Sequence, residues 1–429
     1  MSPFLYQTLL FVVRPLVKLR LRLRARREPE YGKRVSERFG QVPDSVREGG
    51  VWVHTVSAGE TIAATPFIQG LLEDFPDTPF LITTMTPTGS AQVTDRLGDT
   101  IDHCYAPYDF KDGVVQFFDR VKPRVLVLME TELWPNMIRV AAERGVPVYL
   151  VNARLSERSA KGYLRLGRLG AEMFARLTHV ACQTRDHRDR FVALGVDPQN
   201  LTVTGSVKYD IELPEDFDTQ VSLLRARFNL RDQPVWIAAS THPGEDQSVI
   251  DAHMNIRARL PDARLVLVPR HPVRCDEVAK QIATAGLSVA RHSETTPEDA
   301  AADVILGDEM GTLQTLYGLA QAAYVGGSLV DKGGHNPIEP ALCALPVVCG
   351  PFQYNFADVM ANMQRAGGLC TVTSAEDLAQ VMGDWLENDT GRVQAGQAAL
   401  AAVEGNRGAQ ARIEALVGAW IAAALTQDE

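Results

Sequence analysis

Paired cysteine spacing is missing from this chain. Cys104, Cys182, Cys275, Cys343, Cys349 and Cys370 are scattered, with no CxxC among them, and nearly all sit in or beside apolar runs, as small buried residues do. This argues against a disulfide scaffold or a zinc site and fits a reducing compartment. Neither a GxGxxG after a strand nor a GxxxxGK[ST] occurs, which argues against dinucleotide oxidoreductases and P-loop enzymes. The one DxD-like string, Asp216-Phe217-Asp218, falls in an acidic linker rather than at a strand end, so no metal site is expected. Long apolar runs are lacking too: the uncharged stretch Met1 to Val13 stops at Arg14-Pro15, short of the ~20 residues of a full membrane span. Basic charge is scarce overall, with a formal net charge of −10. General nucleic-acid binding is therefore not expected.

The scarce positive charge is concentrated. Residues 1–40 carry ten Lys/Arg against three Glu, so the rest of the chain holds all of the negative balance. An uncharged, Leu/Val/Phe-rich stretch followed by Arg20, Arg22, Arg24, Arg26 and Arg27 predicts a segment that dips into one leaflet. Its basic residues would grip anionic head groups on the cytoplasmic side. A helix docked on the protein's own core and a short single-pass anchor are the alternatives. No small-residue cleavage site follows, so a removed signal peptide is not expected.

At 429 residues, 45% of them hydrophobic and 22% charged, the chain can form two domains with separate cores. From residue 51 strand-like and helix-like runs alternate: Val51–His54, Phe80–Thr84, 124–129, 146–151 and 179–182 read as strands, with a helix over 58–75 and a turn at 86–89. A second series follows at 235–239, 263–268, 303–306, 322–325 and 346–349. Alternation of this kind predicts parallel sheets with helices on both faces. The polar, acidic stretch 205–220 reads as a hinge, and the alanine-rich run 398–425 as one last helix. Ligands of open α/β sheets sit beyond the carboxyl ends of the strands, so two such domains facing each other would place the site in the cleft between them.

Chemistry-bearing residues fall at those strand ends. Gly326 to Ala341, GGSLVDKGGHNPIEPA, joins a strand to a helix start through two glycine pairs. Glycines allow close approach of a ligand and free N–H groups at a helix start attract anions. Glu339 could accept hydrogen bonds from sugar hydroxyls, so the segment suits a nucleotide-linked sugar. Glu60, in Ser57-Ala58-Gly59-Glu60, reads as a general base or as a first-turn residue that merely complements the helix dipole. Glu130 to Asn136 puts two carboxylates, an indole and an amide at the end of a buried strand; surface carboxylates beside a packed Trp are the plainer reading. Lys208 could meet a phosphate or a carboxylate, although a lone lysine is most often a solvated charge. Pro269-Arg270-His271-Pro272 supplies an arginine suited to phosphate.

In order along the chain, HTVSAGE (54–60), METELWPN (129–136), NARLS (152–156), QTRDHRDRF (183–191), GSVKYD (205–210), PRHP (269–272), GDEMGTL (307–313), GGHNPIEPA (333–341) and GPFQYNF (350–356) resemble the 3-deoxy-D-manno-octulosonic acid (Kdo) transferases of lipopolysaccharide synthesis. The resemblance runs nearly end to end. It implies the GT-B fold: α/β, two facing Rossmann-like domains with parallel sheets, plus an N-terminal membrane-associating helix. The implied layout is an anchor at 1–27, an acceptor-binding domain at 28–207, a hinge at 208–222, a CMP-Kdo-binding domain at 223–405 and a C-terminal helix at 406–429, with packing back toward the first domain as one option.

The implied reaction is inverting and metal-independent, moving Kdo from CMP-Kdo to a lipid A precursor (lipid IVA) at the cytoplasmic face of the cell inner membrane, with no cofactor. Glu60 matches the family's proton acceptor, and Glu130 and Lys208 its transition-state stabilisers. Pro269, Arg270, Met310, Gly311, Thr312, Asn336, Pro337, Ile338 and Glu339 match its CMP-binding segments. Thr312 stands where the family pattern often has glutamate, which leaves backbone contacts as the role carried over. Alternatives are a nucleotide-sugar epimerase or another nucleotide-sugar transferase on the same fold, and a catalytically silent sugar-nucleotide sensor.

Overall fold

A computed structural model describes residues 1–294 and 301–426; the last three residues of the 406–429 segment and part of the 223–405 segment lie outside the described residues. The chain divides into two compact units, residues 1–210 with 407–429, and residues 211–406.

Unit 1 is built on seven parallel strands: β1 (Val51–His54), β2 (Phe80–Thr84), β3 (Asp102–Tyr105), β4 (Val125–Met129), β5 (Val148–Ala153), β6 (His179–Cys182) and β7 (Leu201–Val203), in the spatial order β3-β2-β1-β4-β5-β6-β7. Unit 2 repeats the plan with β8 (Val235–Thr241), β9 (Arg264–Pro269), β10 (Val289–Arg291), β11 (Val304–Leu306), β12 (Ala322–Val325), β13 (Val347–Cys349) and β14 (Leu369–Thr371), ordered β10-β11-β9-β8-β12-β13-β14. The central strands are buried along their length because helices cover both faces, which accounts for their continuous apolar runs. Each unit opens on a Val-Trp pair whose indole is fully buried. Trp52 donates to Thr83 Oγ1 (2.8 Å) and Trp236 to His253 Nδ1 (3.1 Å), so each indole N–H keeps a partner in the core.

In unit 1 the chain winds outward from β1 through β2 to β3, whereas in unit 2 it runs from β8 and β9 to the edge strand β10 and then places β11 between β10 and β9; in both sheets it next crosses to the other side of the first strand. The switch points lie between β1 and β4 and between β8 and β12. Such points are where doubly wound sheets bind ligands.

Three expectations are corrected. Thr86 to Gly89 is a helix start rather than a free turn: Thr86 Oγ1 accepts from Gly89 N–H (3.0 Å) and Pro87 opens the helix Pro87–Leu97. Phe217 already begins the helix Phe217–Arg227 inside the stretch read as a hinge. The single helix expected over 398–425 is two, Asp389–Glu404 and Ala409–Leu425, broken at Gly408 (φ +88°). The second of these belongs to unit 1. It packs against the helix Ala58–Asp74, stacks Trp420 on Tyr149 (4.1 Å), and is capped by Asp210 accepting from Gln410 N–H (2.6 Å).

The N-terminal segment is one helix, Pro3–Arg27. One side is fixed to unit 1: the Met1 amino group donates to Leu166 O (2.6 Å), Tyr6 Oη to buried Asp109 (2.8 Å), and Arg14 pairs with Asp112 (2.7 Å). On it Leu5, Leu9, Val12, Leu16, Leu19 and Leu23 are all exposed, joined by Phe4 and Phe11. Their alternating spacing of four and three residues lines them up along one helical face. Among the described residues no helix is long and apolar enough to cross a membrane. The helix therefore has one side docked on unit 1 and one side carrying exposed apolar residues.

Candidate active site

The loop leaving β1 bends into the helix Ala58–Asp74 and puts Glu60 in its first turn. Its carboxylate turns back, with Oε2 accepting from Val56 N–H (2.8 Å) and Oε1 from Ser57 Oγ (3.2 Å). A glutamate that only caps a helix stays wet and strongly acidic. Here burial, opposed by the two hydrogen bonds and helped by the negative charges of Glu130 and Glu132, raises the carboxyl to about 7. A carboxylate poised near neutrality at a strand terminus is suited to taking a proton.

Glu130 follows β4, the strand beside β1. Its backbone is left-handed (φ +54°) and held there by its N–H donating to Val151 O (3.0 Å). Such a conformation costs a non-glycine residue about 1–3 kcal/mol and persists only where surroundings impose it. It directs the side chain onto Arg154, whose Nε lies 2.6 Å from Oε2. Glu132 accepts from Trp134 Nε1 (3.2 Å), and burial raises its carboxyl. Lys208 sits on the 3-10 turn Val207–Tyr209, which packs on the helix Ala58–Asp74. Asn152 Oδ1 anchors that turn by accepting from Val207 N–H (3.3 Å). The charge of Glu130 acts on the Glu60 carboxyl, and Lys208 rides on an element packed against the helix that carries Glu60.

Unit 2 gathers the expected nucleotide segments at the carboxyl ends of β9, β11 and β12. Pro269 closes β9, and the following Arg270 bonds its N–H to Thr241 O (2.9 Å) while its side chain reaches solvent. Met310 is exposed, Gly311 takes φ +87°, and Thr312 Oγ1 donates to Glu309 O (3.0 Å). Pro337 stands immediately before the one-turn helix Ile338–Leu342. Asn336 organises its entry: Oδ1 accepts from Ile338 N–H and Nδ2 donates to Glu339 Oε1, both at 3.0 Å. Burial raises the Glu339 carboxyl. Arg270 is near enough to His335 for its charge to act on that ring, so the segments around 270 and 336 share one surface.

The residue that builds this surface, Glu245, was not singled out from the sequence. Fully buried, it accepts from Gly327 N–H (2.7 Å) and His242 N–H (2.8 Å) on one oxygen. The other takes Tyr324 Oη (2.6 Å), Ser328 N–H and Leu329 N–H (both 3.0 Å). It therefore ties the loop after β8 to the glycine loop after β12. The backbone of Gly327 (φ +67°) favours glycine, because a Cβ there is strained and would come within 2.9 Å of the His335 ring. A signal existed: Gly244-Glu245 follows its Val-Trp strand as Gly59-Glu60 follows the first one. Among the described residues no group of three His, Cys, Asp or Glu could hold a metal ion.

Two doubly wound parallel units, each with its polar residues at the strand carboxyl ends, are the arrangement of the GT-B class of glycosyltransferases. The fold is shared with a UDP-GlcNAc 2-epimerase from Neisseria meningitidis solved with UDP-GlcNAc: TM-score 0.58 at 14% identity, covering 86% of this chain and 99% of that one. Residues 33–211 match the family model described as 3-Deoxy-D-manno-octulosonic-acid transferase (kdotransferase). The chain is 36% identical over 413 residues to the 3-deoxy-D-manno-octulosonic acid transferase of Haemophilus influenzae (strain ATCC 51907 / DSM 11121 / KW20 / Rd), covering 96% of each. It is 40% identical over 326 residues to the enzyme of the same name from Bordetella pertussis, covering 74% of each. The chain belongs to the Kdo transferase family and is a glycosyltransferase.

Proposed function

We propose that this Kdo transferase takes CMP-Kdo as donor and a lipid A precursor (lipid IVA) as acceptor, and inverts the configuration at the transferred carbon. Glu60 removes the proton from the acceptor hydroxyl, which attacks the ketosidic carbon as the CMP oxygen departs. Direct displacement inverts and needs one carboxylate on the acceptor side, through an oxocarbenium-like centre. Glu130 and Lys208 stabilise that transition state, and Pro269-Arg270, Met310-Gly311-Thr312 and Asn336 to Glu339 hold CMP. Cationic side chains and backbone N–H groups meet the phosphate charge, so the reading requires neither metal nor cofactor. The observation that carries it is the Glu60 carboxylate, half-buried in the first helical turn after β1 and raised to about 7.

The exposed apolar row from Leu5 to Leu23, followed by Arg24, Arg26 and Arg27, supports an interfacial seat on the anionic inner face of the cell inner membrane. That seat raises the local concentration of a lipid-borne acceptor. The reading is tested by mass spectrometry of products from purified protein, CMP-Kdo and a tetra-acylated lipid A precursor. Acceptor carrying added Kdo of inverted configuration, formed equally with chelator present, is expected. Consumption of CMP-Kdo without modified acceptor would count against it.

A further inference from the structure

Three histidines come from three neighbouring strands at the unit 2 switch point: His271 follows β9, His242 follows β8 and His335 follows β12. Two of them meet directly. Nε2 of His242 lies 2.8 Å from Nε2 of His335, and the rings are parallel within 3°. His271 stands edge-on to His242 at 5.9 Å. An Nε2 to Nε2 hydrogen bond holds one proton between two lone pairs, so the neutral pair has a single Nδ1–H. One further proton leaves the shared bond intact and gives both rings an Nδ1–H.

The surroundings decide when that proton arrives. Arg270, Arg274 and Lys332 bear on the pair with positive charge, His271 stands beside them, and Glu245 opposes them from behind. Burial, then the neighbouring His242 and Arg270, push His335 down to about 4, and burial lowers His242 as well. The Glu245 carboxylate is already committed to four backbone N–H groups and a phenol. The pair is therefore neutral at pH 7, and an anion seated among these cations, first the singly charged phosphodiester of the donor and then the doubly charged CMP it leaves, would favour the additional proton.

We propose that His242 and His335 form a proton-storing imidazole pair that takes up one proton as the donor phosphate binds and meets the charge on the departing nucleotide. This deepens, and rests on, the reading of unit 2 as the CMP site. When the bond from the sugar carbon to the phosphate oxygen breaks, its electron pair stays on that oxygen. The stored proton offsets the new charge, or passes to the oxygen and returns the pair to neutral. The proton of the acceptor hydroxyl goes to Glu60 and then to solvent, and the stored proton returns to solvent when CMP leaves doubly charged, so one proton is taken up and two are released per turnover, the net one being that of the hydroxyl.

The test is calorimetry of CMP binding to the full chain at pH 7.5, where a phosphate monoester with a second pKa near ~6 is mostly doubly charged, in two buffers of different ionisation enthalpy. Uptake approaching one proton is expected. His242→Gln and His335→Gln should each abolish it and weaken CMP about tenfold, while His271→Gln keeps it. On wild type alone, uptake of one proton requires CMP affinity to fall about tenfold per pH unit above 7, which holds the test open if a variant misfolds. CMP binding without proton uptake or pH dependence overturns the imidazole pair and leaves the CMP site standing. Uptake unchanged in both Gln variants does the same. Wild type that fails to bind CMP removes the donor-site reading, and the pair with it.

Discussion

The backbone N–H of Val56 donates to Glu60 Oε2 at 2.8 Å, across the turn where β1 becomes a helix. This bond fixes the carboxylate at the strand end while burial keeps its proton affinity near neutrality. If Glu60 takes the acceptor proton, turnover rises with pH through a midpoint near 7 and levels above it, because only the ionised form is a base. A pH–rate profile under saturating donor checks this. A midpoint near 4 would assign the base elsewhere.

Ionising Glu60 also costs stability. A carboxyl raised in the folded state is penalised once pH exceeds its unfolded pKa, and the penalty is complete above its folded one. Glu60→Gln should therefore melt above wild type at pH 8, with the gain fading toward pH 4. A shift from 4.5 to about 7 sets its upper size at about 3 kcal/mol. Thermal melts across that range measure it.

Arg154 neutralises Glu130 through the 2.6 Å ion pair. Removing the guanidinium leaves the Glu130 charge uncompensated beside Glu60, which favours the protonated form of Glu60. Arg154→Ala should shift the midpoint of the pH–rate profile upward by roughly half a unit to one unit, whereas Arg154→Lys keeps it close to wild type. An unmoved midpoint in the alanine variant would show that Glu130 and Glu60 do not act on each other.

Glu245→Ala strands four backbone N–H groups and the Tyr324 hydroxyl in a buried site. Uncompensated burial of this kind costs about 3–5 kcal/mol, so the melting temperature should fall and CMP binding should be lost. Gly327→Ala, which strains a φ of +67° and presses on His335, should weaken CMP while sparing most of the stability. Titration with CMP alongside melting separates the two effects.

Charging the exposed row tests the membrane seat. Leu16→Glu with Leu19→Glu alters side chains that are exposed on the N-terminal helix, so folding should survive. Sedimentation with vesicles containing anionic lipid should fall at least tenfold and CMP affinity should not change. Added salt should weaken the wild type too, since the basic residues bind through screened charge.

The sequence showed ten of the fourteen strands among the described residues. The four it hid, β3, β7, β10 and β14, are the outer strands of the two sheets. Their sequences, DHCY, LTV, VAR and LCT, are short and half polar because an edge strand is covered on fewer sides, so the apolar run that marks a central strand is absent. Glu60 and Glu130 were legible because each follows such a run. Glu245 was not, since its role is to hold a loop more than 80 residues away, and long-range hydrogen bonds leave no local pattern. The N-terminal helix was read by composition along the chain, whereas its two faces, one docked and one exposed, emerge only from packing.

The most direct test of the account is Glu60→Gln assayed for transfer from CMP-Kdo to a lipid A precursor, with CMP affinity measured on the same protein. A base of this kind contributes roughly 100- to 10,000-fold, so turnover should fall by that factor while CMP binds as in wild type. Near-normal turnover by the glutamine variant would contradict the account.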